Sequence, residues 1–510
     1  MQIRGSYKKS QLKMIGSGIL IGIAAGTVVA SFRYLIEHLT SLFIWIFAQG
    51  KTDFLWFGLG LIMLIAICLV NGWFLKTNPE IKGSGIPQVE GQLIGLFDYA
   101  FWPALWRKFV GGVLAIGSGL FLGREGPSIQ LGSTIGQGIS KLTKQVGTDR
   151  NVLISSGAAA GLSAAFNAPI ASTMFVLEEV YHNFSTNIWM VSLTASISSD
   201  CIATYVFGLK PVLFMKSTSL PLKYFMWIIP FAILLGIFGR VYQLMTLNIS
   251  KLYSRIKFIP KEFSSIFSFL LIIPIAMYLP QLMGGGSRLI LSLQYLKYPA
   301  VILVAFFGLR LLLSVFTYGS GLPGGIFLPM LCLGALLGAT YGSVLISMGL
   351  VSKLYFATFV IMGMAGYFAC VSKAPFTAIL LITEMVGTLS HLLGLALVSL
   401  LAYLVVDILN GKPIYHSLLL QMLGKREERE SITAFETIQT VFVGALADGK
   451  TVKQLSWPSG SLLIKIKREG REIVPSGETG IRAGDILIIS VTGKKRQQII
   501  HQVQTLTREN

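Results

Sequence analysis

Charge is scarce in this 510-residue chain: Asp, Glu, Lys and Arg make up only 13% of it, about half the share of an ordinary soluble domain. That shortage excludes a globule bathed in water on all sides. With 53% hydrophobic residues and a mean hydropathy of +0.69, the composition is that of a protein crossing a membrane several times. Cysteine is sparse too: Cys68, Cys201, Cys332 and Cys370 stand apart in apolar runs, which excludes a disulfide framework or a thiolate metal site and leaves packing. His38, His182, His391, His416 and His501 share no ligand spacing, so neither a metal nor a catalytic role is expected of them. No nucleotide-cradling loop, catalytic triad or metal-ligand cluster stands in the sequence. The expectation is therefore a non-enzyme without cofactor.

Acids are outnumbered, 23 to 42, which gives a net charge of +19. A nucleic-acid partner is the usual reading of such an excess, but here the basic residues gather at segment ends. Arg4, Lys8, Lys9 and Lys13 precede the first apolar run, and Lys251, Arg255, Lys257 and Lys261 follow a later one. This is the positive-inside pattern, so both termini are expected in the cytoplasm, the bilayer is the partner, and nucleic acid is not. The same excess makes a field that attracts anions.

Apolar runs long enough to be membrane segments lie near 14–36, 54–74, 110–122, 152–180, 188–207, 224–247, 266–279, 300–316, 325–350, 355–371 and 374–409. The first is too long for a signal-peptide core and has no small-residue cleavage site, so it is expected to stay attached. Several are short or broken by Gly and Pro. Broken helices survive at membrane depth only where protein or a water-filled cavity covers their backbone.

An internal repeat organises these runs. Gly123, Pro127, Leu131, Gly132 and Gly136 match Gly325, Pro329, Leu333, Gly334 and Gly338 at a constant offset of 202. Gly157, Ala159, Ala168, Pro169 and Glu178 match Gly363, Ala365, Ala374, Pro375 and Glu384 at an offset of 206. Two related halves with Gly/Pro-interrupted segments in corresponding places point to a substrate site where the halves meet.

Three segments share one chemistry: Gly83-Ser84-Gly85-Ile86-Pro87, Gly123-Arg124-Glu125-Gly126-Pro127 and Gly325-Ile326-Phe327-Leu328-Pro329. Glycine lets the backbone turn and approach a ligand, and proline suits the first helical turn, so each reads as a helix start. A helix start offers free N–H groups and a partial positive charge, a cradle for an anion that needs no buried cation. Ser84 adds a hydroxyl at its own helix mouth, and Tyr415 adds a phenolic one after the last span.

These segments, in this order and with the late Tyr415, resemble the signature motifs of the CLC chloride channels and transporters over about residues 10–423. The resemblance implies an all-α polytopic fold of two inverted halves of broken and tilted helices, about 14–210 and 222–423, in a homodimer with one pathway per subunit. It implies chloride held by Ser84, Tyr415 and the amides of Ile326 and Phe327, with an outer anion site near Arg124, Gly126 and Leu328. Family members that prefer nitrate carry proline where Ser84 stands, so chloride is the expected anion. Glu125 takes the place of the external gating glutamate, whose carboxylate competes with the anion until it is protonated. Of the adjacent acids Glu178 and Glu179, the second matches the family's internal proton relay, while Glu178 is expected to bond helix ends because the repeat gives it a counterpart in Glu384. Glu90 and Lys108 resemble a buried structural ion pair. The expected function is proton-coupled chloride antiport in an inner or plasma membrane, with chloride and protons as the transported ions. A passive chloride channel, a membrane sensor with a vestigial pore and a sodium-coupled transporter are the alternatives.

From 424 the composition turns polar. A charged linker at 424–433 and a small α/β cytosolic domain at 434–510 are expected, from strand alternation at 461–467 and 485–491, turn signals at Asp448-Gly449 and Ser476-Gly477, and a helical pattern at 494–506. Residues 470–475 and Arg482-Ala483-Gly484-Asp485 resemble the TrkA-C (RCK-C) ligand-binding domain. That implies dimerisation and a cytosolic small ligand that biases the transporter.

Overall fold

A computed structural model describes residues 2–182, 185–255, 259–295, 298–431, 435–442, 444–468, 471–491 and 496–507; Lys257, Gly470, Lys494 and the end of the expected linker lie outside them. The chain forms two compact units, Met1–Leu419 and Leu420–Asn510.

The first unit is helical, and its helices fall into two series of eight among the described residues. The first series is α1 (Gln2–Gln49), α2 (Phe54–Thr77), α3 (Ile86–Leu93), α4 (Phe101–Gly117), α5 (Glu125–Leu142), α6 (Gly147–Phe166), α7 (Pro169–Phe175) and α8 (Thr186–Phe207). The second is α9 (Ile228–Tyr253), α10 (Ile266–Tyr278), α11 (Ser287–Ser292), α12 (Ala300–Gly319), α13 (Phe327–Ser347), α14 (Phe356–Ser372), α15 (Pro375–Val386) and α16 (Leu392–Ile408), after which α17 (Ile414–Ser431) continues into the second unit. Among the described residues, eight helices are long and apolar enough to cross a membrane.

Two expected spans are each broken in two, and the cause is local. The run 152–180 breaks where Asn167 takes a left-handed conformation (φ 54°) ahead of Ala168-Pro169, and Lys373 (φ 65°) does the same 206 positions on, ahead of Ala374-Pro375. The residue before proline is kept out of the helical region, so one helix ends and another starts at an angle to it. Lys373 falls between the expected runs 355–371 and 374–409, and the second of these breaks at Gly387, which ends α15 with φ 80°. The segment 425–430 expected as linker lies within helix α17.

The repeat is visible in the hydrogen bonds. Gly123 and Gly325 exchange both backbone bonds at 2.7 Å in an antiparallel bridge, which brings the starts of α5 and α13 together. Gly83 N–H donates to the Gly321 carbonyl at 3.1 Å, and the equivalent Gly284 N–H donates to the Gly119 carbonyl at 2.7 Å. Glu178 accepts from the amides of Phe376 (3.2 Å) and Thr377 (2.7 Å) at the start of α15; Glu384 accepts from those of Ile170 (3.2 Å) and Ala171 (2.8 Å) at the start of α7. Each half thus supplies the acid that satisfies the free amides of the other. Glycine permits the tight crossings within each half: a Cβ on Gly157 would run into the Gly132 carbonyl, and one on Gly363 into that of Gly334.

In the second unit, β1 (Phe435–Thr440), β2 (Ser461–Arg468), β3 (Arg471–Ile473) and β4 (Ile486–Val491) form an antiparallel sheet in the order β1-β4-β2-β3, with α18 (Arg496–Thr507) beyond it. Leu463, Ile466, Leu487, Ile489, Ile499 and Val503 fill its core. Within Arg482-Ala483-Gly484-Asp485, Gly484 turns with φ 87° and the buried Asp485 accepts from Arg468 Nε (2.8 Å), Arg468 Nη2 (2.7 Å) and the Arg482 amide (2.9 Å). Burial raises the Asp485 pKa, but the Arg468 bonds, the Arg482 amide and the two positive charges outweigh it and hold the carboxyl below its usual range.

Candidate anion and proton site

Three helix starts converge in the first unit. The Gly123–Gly325 bridge joins α5 to α13, and Gly324 N–H donates to the Gly83 carbonyl at 3.0 Å, which fixes the loop before α3 beside the same point. Ser84 packs on Gly126 so closely that a Cβ on Gly126 would meet the Ser84 carbonyl at 2.7 Å. The first amides of each helix have no partner within their own helix, so the junction is positive without a buried cation at its centre.

Ser84 is buried and its Oγ has no protein partner; the same is true of the Tyr415 hydroxyl. Tyr415, at the start of α17, stands edge-on to Phe175 with ring centres 6.1 Å apart, and Phe175 is 5.5 Å from Phe327, the first residue of α13. Phe327 is held in turn by Phe166 and Phe368, so the Ile326–Phe327 start is clamped by aromatic packing. A buried hydroxyl without a partner is costly unless a ligand or water satisfies it, and two such hydroxyls here suit an anion acceptor.

Glu125, in the first turn of α5, is fully buried. Its Oε2 accepts from the Leu328 amide at 3.4 Å, and its Oε1 has no protein partner. The carboxylate therefore reaches across to the opposite helix start, into the outer position expected for an anion. Arg124 does not hold it by an ion pair. Its Nη1 donates to Glu37 Oε1 at 2.7 Å, and Glu37 also takes Arg33 Nε at 3.2 Å. Arg33, Glu37, Arg124 and Arg288 line a cavity of about 400 Å³ on this side of Glu125.

Glu179 lies in a π-helical turn, Val176–Val180, that follows α7. Turns of this kind widen the helix and recur at functional sites. Here the turn sends Glu178 towards the start of α15 and Glu179 into the protein, where its Oε1 is buried with no protein partner. Tyr415 is within electrostatic reach of both Glu179 and Glu125.

The expected ion pair between Glu90 and Lys108 is not formed. Lys108 Nζ donates to the carbonyls of Ile81 (2.8 Å) and Gly83 (2.7 Å), while Glu90 Oε1 pairs with His416 Nδ1 at 2.5 Å. Loop carbonyls that no helix satisfies draw the ammonium to themselves, and Glu90 finds its partner on α17. Lys108 has an equivalent that the sequence reading missed. Arg310, 202 positions on, donates to the carbonyls of Leu282 and Gly284 at 2.7 Å each and of Gly285 at 2.6 Å. Extending the repeat offset upstream of Gly123 would have found it. Glu37 and His416 carry no motif, though His416 directly follows Tyr415.

Residues 62–407 match the family described as "Voltage gated chloride channel". The chain belongs to that family. It is 34% identical over 453 residues to a protein named "H(+)/Cl(-) exchange transporter ClcA" from Vibrio cholerae serotype O1 (strain M66-2), covering 83% of this chain and 92% of the relative. Among solved structures, "a slow cyanobacterial Cl-/H+ antiporter" aligns with a TM-score of 0.77 at 28% identity over 81% of this chain and 99% of the other. "A eukaryotic CLC transporter" shares the fold, with a TM-score of 0.67 at 20% identity over 81% of this chain and 74% of the other. Residues 440–502 match the TrkA-C domain. The CLC fold and the TrkA-C domain are thus those the motifs led us to expect.

Proposed function

We propose that the protein exchanges chloride for protons across a membrane. The observation that carries this reading is the Glu125 carboxylate, which reaches from its own helix start to the Leu328 amide of the opposite one at 3.4 Å. A charged side chain resting on an anion cradle is a tethered competitor. Deprotonated, it holds the outer position formed by Arg124, Gly126 and Leu328; protonated, it loses its attraction to the amides and releases the position to chloride. Chloride and the carboxylate then compete for the same place and a proton decides between them, which couples the two ions' movements.

Below Glu125, chloride takes bonds from the Ser84 and Tyr415 hydroxyls and the Ile326 and Phe327 amides. Partial charges hold it loosely enough to leave. Glu179 relays protons on the other side of Tyr415. The names of ClcA and of the cyanobacterial antiporter support exchange over passive conduction. The second unit is read as a regulatory module for a cytosolic small ligand, on the strength of the TrkA-C match.

The test is paired chloride and proton flux from purified protein in liposomes. A chloride gradient drives protons uphill if the reading holds, and Glu179→Gln stops the protons while chloride continues to move. Chloride flux with no proton movement in the unmodified protein would show a passive channel.

A further inference from the structure

The proton route needs an entry point. Glu179 is 3% exposed and has no ion-pair partner among the described residues, so it does not collect protons from water by itself. Among the helices packed against its π-helical turn is α3, which carries Glu90, a carboxylate close enough to feel the charge of Glu179. Glu90 is buried, its side chain 2% exposed, with Oε1 on His416 Nδ1 at 2.5 Å and Oε2 without a protein partner. The His416 side chain is 37% exposed. A half-exposed imidazole thus stands at the surface end of a line that continues through two buried carboxylates, Glu90 and Glu179.

We propose that His416 and Glu90 form the proton entry that feeds Glu179. This rests on the reading of Glu179 as relay. With Nδ1–H donated to Glu90, Nε2 is the free nitrogen and accepts a proton from solution. The imidazolium passes its Nδ1 proton to Oε1 of Glu90, which leaves a neutral ring and a carboxylic acid. Glu90 gives a proton on to the Glu179 carboxylate and regains its charge, and the ring returns to the Nδ1–H tautomer. One proton enters and one leaves.

The surrounding charges suit this traffic. Lys108 is committed to the Ile81 and Gly83 carbonyls and makes no bond to Glu90. Glu178 is turned away to the α15 start, and Tyr415 beside Glu179 is a neutral donor. Lys412 precedes α17 and stands within electrostatic reach of His416, so a charged group of each sign faces the ring, Glu90 being the one bonded to it.

The experiment is proton and chloride flux against pH in liposomes for the unmodified protein, His416→Gln, His416→Gly and Glu179→Gln. Glutamine at 416 keeps a donor for Glu90 but cannot carry a proton. Proton flux in His416→Gln is expected to fall about tenfold or more, the low side of what a positioned acid–base group provides. Chloride flux persists as the control for folding, and the dependence of proton flux on pH around the imidazole range disappears. In His416→Gly, added imidazole restores proton flux. A structural role for His416 would not respond to imidazole. Unchanged proton flux in His416→Gln alongside its loss in Glu179→Gln would overturn the entry pair and leave the relay intact. Protons still moving in Glu179→Gln would overturn the relay, and the entry pair with it.

Discussion

Removing the carboxylate of Glu178 separates two adjacent acids that the sequence alone leaves hard to tell apart. Glu178 accepts from the Phe376 amide at 3.2 Å and from the Thr377 amide and hydroxyl at 2.7 Å each, all at the start of α15. Hydrogen bonds to a charged acceptor contribute about 1.5 kcal/mol each at the low end, the end that applies to a partly exposed side chain. Losing the long bond and the two short ones to Glu178→Ala should therefore destabilise by about 3 kcal/mol once the surrounding water takes back part of the loss. Glu384→Ala loses only two bonds, one of them at 3.2 Å, and should cost about 2 kcal/mol. The assay is the thermal unfolding midpoint in detergent, followed by tryptophan fluorescence, with flux measured on the same preparations. Both variants should melt several degrees early, Glu178→Ala the more so, and both should keep proton coupling. An unchanged midpoint with proton movement lost in Glu178→Ala would assign the relay to Glu178 and refute the division of labour drawn here.

Ser84→Pro removes an unpaired buried hydroxyl from the proposed chloride position and should raise nitrate flux relative to chloride several-fold in anion-exchange assays; unchanged selectivity would remove Ser84 from the site. Gly157→Ala places a methyl group against the Gly132 carbonyl in the α5–α6 crossing, an overpacking that costs about 1–3 kcal/mol, and Gly363→Ala should match it in the other half. Detergent melting of both variants checks this. In the second unit, the folded-state pKa of Asp485 lies below its unfolded value of about 3.9, so its stabilisation is complete above that pH and is lost as pH falls through the folded value. The protection of the β4 amides in the full chain, measured relative to the intrinsic exchange rate at each pH, should fall as the pH drops through that window, and Asp485→Asn should be less protected at neutral pH and less sensitive to acid.

Much of this was legible because the chemistry depends on backbone. Gly-x-x-x-Pro segments announce helix starts whatever their neighbours, and the offset of 202 carried Gly123 onto Gly325, the two residues that exchange hydrogen bonds at 2.7 Å. The match of Glu178 to Glu384 at 206 likewise led to the acids that cap each other's halves. Side-chain partners were less readable. Glu90 and Lys108 are 18 positions apart, and nothing in that spacing says that loop carbonyls will claim the lysine and a residue 326 positions away the glutamate. Long contiguous apolar runs also hid their breaks, since Asn167 and Gly387 end helices through left-handed backbone that hydropathy does not register.

The central claim is that one carboxylate takes turns with chloride at the meeting of the helix starts. Glu125→Gln keeps the size of that side chain and removes its charge and its proton, so paired flux measured in liposomes tests the claim most directly. Chloride movement that continues, with no dependence on a pH gradient and no uphill protons, is the predicted result. Protons still driven uphill by chloride in this variant would contradict it.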